Sequence, residues 1–323
     1  MSRNYNARNF GLGSRDIVKA ASNALKERDG SFSTVATNSD RFRIAANFLK
    51  ENHEIKDLRF IDKAHLISFA EHLKECVDKG DLSISTAHNY VSAVNTVLQT
   101  ARGDSIVSIS SKDYLPPRSF ICDSSRALNT SQIAEVNEII SNHEQGERLT
   151  GMINLQENLG LRYEESAKID AVKALAEALT TNKVTISEGT KGGLTREIPI
   201  TNTKQIEALK TASNIQGSHH SLIPKDLSYA QFRSLSYQAI GNTEAKGYHD
   251  LRHTYAQGRY QQIAGEKCPI AANIEHGKAH HQYLSQKLDI SVQEAKSLDQ
   301  DARSQIAEEL GHHRIDVTNN YLG

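Results

Sequence analysis

The residues His249-Asp250-Leu251-Arg252-His253-Thr254-Tyr255-Ala256 decide how the rest of the chain is read. His249 and Arg252 are three apart, which on a helix places them about one turn apart on one face. Further on come Glu309-Leu310-Gly311-His312-His313-Arg314, and Tyr321 lies nine residues beyond His312. A guanidinium and imidazoles can surround a phosphate, and a phenol beside them can attack it. Everything then turns on whether these side chains meet in space.

Outward from that stretch, the chain has 323 residues, enough for two domains with their own cores. Apolar content is 38% and charged content 24%, ordinary for a globular protein. No apolar run approaches a membrane span, and the start lacks a signal-peptide pattern. Cys76, Cys122 and Cys268 are too scattered for a disulfide or metal pattern and fit a reducing, cytoplasmic setting. Net charge is −1, but residues 1–50 carry nine Lys/Arg against four acids, a net of +5, leaving −6 for the rest. A basic first segment can track a phosphate backbone by releasing counterions.

Residues 1–13 are polar and read as a flexible arm. Ser14 can cap a helix to about Arg28, striped by Ile17, Ala20, Ala21, Ala24 and Leu25 and ended by Asp29-Gly30. A second helix is expected over about 34–52, a third after Asp62, and a fourth over about 85–101. Residues 103–128 are Ser-rich, contain Pro116-Pro117 and sustain no period, so the interdomain connection falls there. Helices are then expected over about 129–142 and 147–159, ending at Gly160, with a short helix after Leu161-Arg162. Residues 183–187 and 195–200 alternate like strands around Glu188–Gly193, which makes a β-hairpin with Lys191 at its tip. Helices follow at about 203–213, 228–241, 249–263, 300–310 and 315–321. The polar segment 265–300 reads as an insertion of short amphipathic pieces.

Four stretches, in order, resemble the tyrosine recombinases, also called the phage integrase family. Gly160-Leu161-Arg162-Tyr163-Glu164-Glu165 resembles the family's first-arginine motif, with Glu165 supporting Arg162. Lys191 in the hairpin stands where the family has its lysine, with Lys183 as fallback. His249-x-x-Arg252 resembles the second box, with His253 in support. Leu310-Gly311-His312 followed by Tyr321 resembles the closing signature. The ending Tyr-Leu-Gly and the long 265–300 segment look like integrases of integrative mobile elements.

The resemblance implies a mainly α, two-domain architecture clamping duplex DNA. Residues 1–118 would be a SAM-like core-binding domain of four helices, 119–128 a linker, and 129–323 a catalytic domain with a small hairpin or sheet. It implies site-specific strand exchange through a 3′-phosphotyrosine, with no cofactor or metal. Tyr321 would be the nucleophile, Arg162 and Arg252 the phosphate clamps, Lys191 the acid for the leaving 5′-oxygen, His249 a proton acceptor or donor, and His312 a phosphate hydrogen bonder. The partners implied are double-stranded attachment sites, three further copies of the chain in a tetramer and accessory DNA-bending proteins. The place of action would be the bacterial cytoplasm, at the nucleoid. Only Leu322 and Gly323 follow Tyr321, so no exchanged C-terminal helix is expected, and residues 265–300 become the candidate for contacts between protomers.

Two other classes compete. A DNA-binding relative without catalysis would lack part of the set that stands complete here. A metal phosphohydrolase could use His249-Asp250, or His276 and His280 sharing an ion across one helical turn, but there is no His-Glu-x-x-His.

Overall fold

The computed structural model describes residues 3–28 and 31–323. The chain divides into two compact units, Met1–Ser119 and Phe120–Gly323. It is mainly helical, with one two-stranded sheet among the described residues.

The first unit holds four helices, α1 (Ile17–Glu27), α2 (Phe32–His53), α3 (Lys63–Asp78) and α4 (Ile84–Arg102). Asp16, Ser31, Asp62 and Ser83 cap them, each side chain accepting a backbone N–H three residues on. The first cap is therefore Asp16 rather than Ser14, and the expected break at Asp29-Gly30 lies outside the described residues. The apolar stripes face one core: Ala20, Ala24, Phe42, Leu49, Phe69, Val97 and Leu98 are buried.

Residues 3–13 are not a loose arm. Phe10 and Leu12 enter the core, and Asn9 is fully buried. The Asn9 amide donates to Asp57 Oδ1 at 2.9 Å, and its side-chain oxygen accepts from the Leu58 amide at 2.9 Å. A segment that is polar in composition is thus held by two buried apolar residues and a satisfied amide. Residues 103–118 likewise belong to this core through Val107, Ile109 and Leu115.

The second unit begins with α5 (Thr130–Ser141), α6 (Gly146–Leu159), α7 (Tyr163–Lys168) and α8 (Ala171–Thr181). Helix α8 fills a stretch for which the sequence reading gave no element; its buried face is Ala171, Ala174 and Ala178, while the larger Val172 and Leu179 stay exposed. Strands β1 (Lys183–Ile186) and β2 (Arg196–Pro199) pair antiparallel, with Lys183 opposite Pro199 and Ile186 opposite Arg196. Then come α9 (Thr203–Gln216), α10 (Tyr229–Ile240), α11 (His249–Ala264), α12 (Pro269–Ala272), α13 (Lys278–Leu288), α14 (Val292–Glu309) and α15 (Asn319–Leu322). Residues 292–300 are therefore the first half of one long helix capped by Ser291, not a separate short piece. A second apolar cluster is built from α5 to α10, and a third joins α11 and α14 to Tyr321 and Leu322.

The segment after residue 119 does not run free. The Cys122 amide donates to the Asn319 carbonyl at 3.0 Å, Arg126 pairs with Asp250 at 2.6 Å, and the Leu128 amide donates to Thr254 Oγ1 at 2.8 Å. All three bonds tie it to α11 or to the first residue of α15, inside the second unit.

Candidate active site

Helix α11 presents Arg252 inward, and the side chain is completely buried. A guanidinium out of water needs its donors satisfied. Its Nη1 donates to the Gly160 carbonyl, its Nη2 to the Leu310 carbonyl, and its Nε to the Tyr321 hydroxyl at 3.3 Å. Burial pulls its pKa down to about 10, which leaves it charged near neutrality. The Gly160 carbonyl is available because the chain turns there with φ +61°, and a Cβ at that position would sit 2.4 Å from the Tyr255 ring. Only glycine ends α6 in that way.

Arg162 caps α7 from the other side. Its amide and its Nη1 each meet the Glu165 carboxylate at 2.7 Å, and its Nη2 donates to the same Leu310 carbonyl at 3.1 Å. Two arginines separated by 90 positions thus share one carbonyl oxygen. Glu165 is fully buried, which alone would raise its pKa. The two-pronged grip of Arg196, 2.7 Å on each oxygen, and the contacts from Arg162 outweigh that and hold it down at about 2. Arg196 in turn donates from Nε to the Glu309 carbonyl at 2.7 Å. Beneath this layer the Glu309 carboxylate accepts from Tyr255 at 2.7 Å and from Arg259 at 2.8–3.0 Å.

Tyr321 sits on the single turn α15 and is 4% exposed. Three imidazoles surround its ring, with centroids at 4.8 Å for His253, 5.5 Å for His249 and 5.7 Å for His312. The Arg252 guanidinium carbon lies 5.8 Å from the same ring centre. Burial first, then Arg252, Arg162 and Arg196, push His312 down to about 3. Burial, His249 and nearby arginines push His253 down to about 3. His249 shifts the same way, because protein crowds its ring and Arg252 and Arg126 stand close, although its outer edge is open to solvent. All three are therefore neutral near pH 7 and can accept or pass a proton. Permanent positive charge comes from Arg126, Arg162, Arg196, Arg252 and Arg259 against the buried carboxylates of Glu165, Asp250 and Glu309, an excess of cations. The site suits an anion.

The fold thus gathers Arg162, Glu165, His249, Arg252, His253, His312 and Tyr321. Lys191 stands apart. It is exposed in the turn Lys191–Gly193, and no hydrogen bond or ion pair holds its ammonium among the described residues. The turn is rooted nearby, since the Gly189 backbone is packed against that of Glu164. The fallback Lys183 is at the far end of the hairpin and is paired to Glu197 at 2.6 Å. Arg196 and Arg126 are site residues that the sequence did not point to; neither lies in a motif, and their acid partners are 31 and 124 positions away. The idea that His276 and His280 share a metal on one helix fails, because His276 precedes the first turn of α13. Their ring nitrogens donate instead to the Gly323 and Lys267 carbonyls, each at 2.9 Å. Among the described residues no group of three or more His, Cys, Asp or Glu is arranged to hold a metal.

Residues 121–258 match the family described as Integrase. That span takes in Arg162, Lys191, His249 and Arg252 and stops before His312 and Tyr321. The XerH site-specific recombinase, solved on its palindromic difH substrate in a post-cleavage complex, is 19% identical with a TM-score of 0.51, covering 93% of this chain and 79% of that one. The Tn1549 transposon integrase, solved with circular-intermediate DNA, is 14% identical with a TM-score of 0.54, covering 95% of this chain and 94% of that one. At these identities the likeness is one of fold. No curated protein sequence is detectably similar to the chain. No helix among the described residues is long and apolar enough to cross a membrane.

Proposed function

We propose that the chain is a tyrosine recombinase that cuts and rejoins DNA at specific sites, integrating or excising a mobile element, a reading supported by its fold and by the integrase segment it carries. The observation that carries this reading is the placement of Tyr321. Its hydroxyl accepts from Arg252 at 3.3 Å while three neutral imidazoles and Arg162 surround the same space. A phenol held beside an anion site is what in-line attack on a phosphodiester requires.

In this reading Arg162 and Arg252 hold the non-bridging oxygens, for which guanidinium forks match the geometry and keep their charge. The Tyr321 oxygen forms the bond to phosphorus as the bond to the 5′-oxygen breaks. The phenol proton passes to His249, and the ammonium of Lys191 protonates the departing 5′-oxygen. His312 hydrogen-bonds a phosphate oxygen. His253 and Glu165 hold His249 and Arg162 in place. The products are a 3′-phosphotyrosine and a free 5′-hydroxyl, and the reverse attack by another 5′-hydroxyl reseals the strand. The covalent bond conserves the phosphodiester, so no nucleotide is spent.

The first unit is the core-binding, SAM-like DNA grip in this scheme, supported by the +5 balance of residues 1–50. Four copies on two sites, helped by DNA-bending proteins, would exchange strands at the nucleoid in the cytoplasm. The test is incubation with duplexes enriched by the chain itself from a random-sequence pool, followed by denaturing electrophoresis. A covalent protein–DNA band supports recombinase chemistry. Tight binding without any band, on intact or nicked duplex, would instead favour a DNA-binding relative without catalysis.

A further inference from the structure

Tyr321 lies on a turn of only four residues, Asn319–Leu322. A helix that short does not hold itself. Its apolar hold is Leu322, fully buried among side chains of α11 and α14. Its polar hold is Arg303 of α14. Nη1 of Arg303 donates to Asn319 Oδ1 at 2.9 Å, two residues before the tyrosine, and Nη2 donates to the Gly323 carbonyl at 3.0 Å, two residues after it. One guanidinium therefore grips the tyrosine's turn at both ends. His276 Nδ1 adds a bond to the same Gly323 carbonyl at 2.9 Å. Gly323 has φ +80°, and a Cβ there would meet Ile270 at 2.9 Å, so α12 walls the far side.

Arg303 is itself fixed. Its Nε meets both oxygens of Asp299 at 3.0 Å, and Asp299 accepts from the Tyr260 hydroxyl at 2.6 Å and from His281 Nε2 at 3.4 Å. Tyr260 belongs to α11, the helix that begins with His249 and carries Arg252 and His253. Arg303, Asp299 and Tyr260 are 3%, 6% and 0% exposed. A continuous buried polar chain thus runs from the helix that carries the phosphate-binding groups to the turn that carries the phenol. Burying such groups is costly, and an apolar set of the same volume would hold α11 to α14 at least as well. What the polar set adds is direction: a planar fork fixes the turn at two points and in one orientation.

We infer that Arg303, aligned by Asp299 and Tyr260, is a positioning residue for Tyr321, and that the segment 265–300 exists in part to build this clasp within the protomer. The role rests on the reading of Tyr321 as nucleophile. A tyrosine oxygen displaced by about 1 Å loses roughly 10²-fold in rate, while groups that bind and activate the phosphate are left where they are.

That asymmetry supplies the test. Arg303→Met and Asn319→Ala are compared with the parent chain for single-turnover adduct formation on a nicked duplex enriched from a random pool. The same substitutions are then placed in a Tyr321→Phe background and supplied with hydrogen peroxide, a nucleophile small enough to reach the phosphorus without being held by the protein. Tyrosine attack is expected to fall about 10²-fold for Arg303→Met and about tenfold for Asn319→Ala, with Arg303→Lys between the parent and Arg303→Met. Cleavage by peroxide is expected to be unchanged. Asn319→Ala leaves the Arg303–Asp299 pair intact, so it carries the comparison if Arg303→Met fails to fold. Equal losses in the tyrosine and peroxide reactions would reduce the clasp to general scaffolding and overturn the positioning role. Unchanged tyrosine attack in folded variants would overturn it too. A parent chain that forms no adduct at all overturns the nucleophile reading and the clasp with it, which separates the two failures.

Discussion

The start of α11 and the tip of the hairpin carry proposed catalytic groups in opposite physical states. Around α11, Arg252, Glu165, His253 and Tyr321 are buried, and every arginine donates to a fixed carbonyl, carboxylate or hydroxyl. At the hairpin, Lys191 is exposed on a glycine-rich turn with positive φ at Gly192 and Gly193. The difference follows the chemistry each must do. Charge that builds on a phosphate is best met by donors already in place, which need no reorganisation. A proton delivered to a leaving strand only has to arrive at the right step, and a lysine on an exposed turn can do that after DNA is bound.

The largest effect is expected from removal of the phenol. Tyr321→Phe should abolish the covalent adduct while leaving DNA affinity within about twofold, measured by gel shift beside denaturing electrophoresis. An adduct at normal yield would take the nucleophile out of the α11 cluster altogether.

Next come the preassembled donors. Arg252→Lys keeps a charge but cannot reach the Gly160 carbonyl, the Leu310 carbonyl and Tyr321 at once. Single-turnover cleavage should fall by ~10³-fold, the upper range for losing one preorganised donor. Arg162→Lys, at a less buried position, should cost at least ~10²-fold. Near-parent rates in either variant would mean that fixed geometry is not what the cluster supplies.

The hairpin can be separated from the cluster chemically. Lys191→Ala should slow cleavage about 10²-fold on ordinary DNA, the lower range for general acid catalysis. On DNA with sulfur in place of the scissile 5′-oxygen the leaving group needs no proton, and the variant should recover to near the parent rate. A loss of the same size on both substrates would remove Lys191 from that role and turn attention to Lys183.

The smallest effect concerns stability. His253 is 4% exposed, and its folded pKa of about 3 lies below its ordinary 6.5. The unfolded chain therefore binds the extra proton first, and stability is lost as pH falls from about 6.5 toward 3. By pH 5 this amounts to roughly 1–2 kcal/mol. His312 acts in the same direction, and Glu165, held down at about 2, extends it below pH 4.5. The melting temperature should drop by several degrees between pH 7 and 5, and His253→Asn should flatten that slope. A pH-independent melting temperature across that range would place these imidazoles in water rather than in the cluster.

Much of this protein is written locally in the chain. The alanine and leucine stripes, the polar caps at helix starts and the glycine that ends α6 depend on neighbours a few positions away, and sequence carries them directly. So do the pairs His249–Arg252 and His312–Tyr321, each set by a short spacing, whereas the fold decides that the two pairs meet across 60 positions. The packing of residues 3–13 is not legible in sequence, since it rests on Phe10 and Leu12 entering the core and on one asparagine reaching residues near position 57. Helix α8 is built of good helix formers, but its larger apolar residues Val172 and Leu179 face solvent and only alanines are buried, so the pattern does not mark the core-facing side.

The choice of partners was decided only in three dimensions. Glu165 looks like the companion of Arg162 three residues earlier, yet its two-pronged partner is Arg196 from a strand. Arg303 and Asp299 look like an ordinary i,i+4 surface pair on a polar helix, and the fold buries both against the tyrosine's turn. A charged residue in sequence has many possible partners of similar worth in water. Burial removes the water and leaves each charge only the partner that packing has brought within reach.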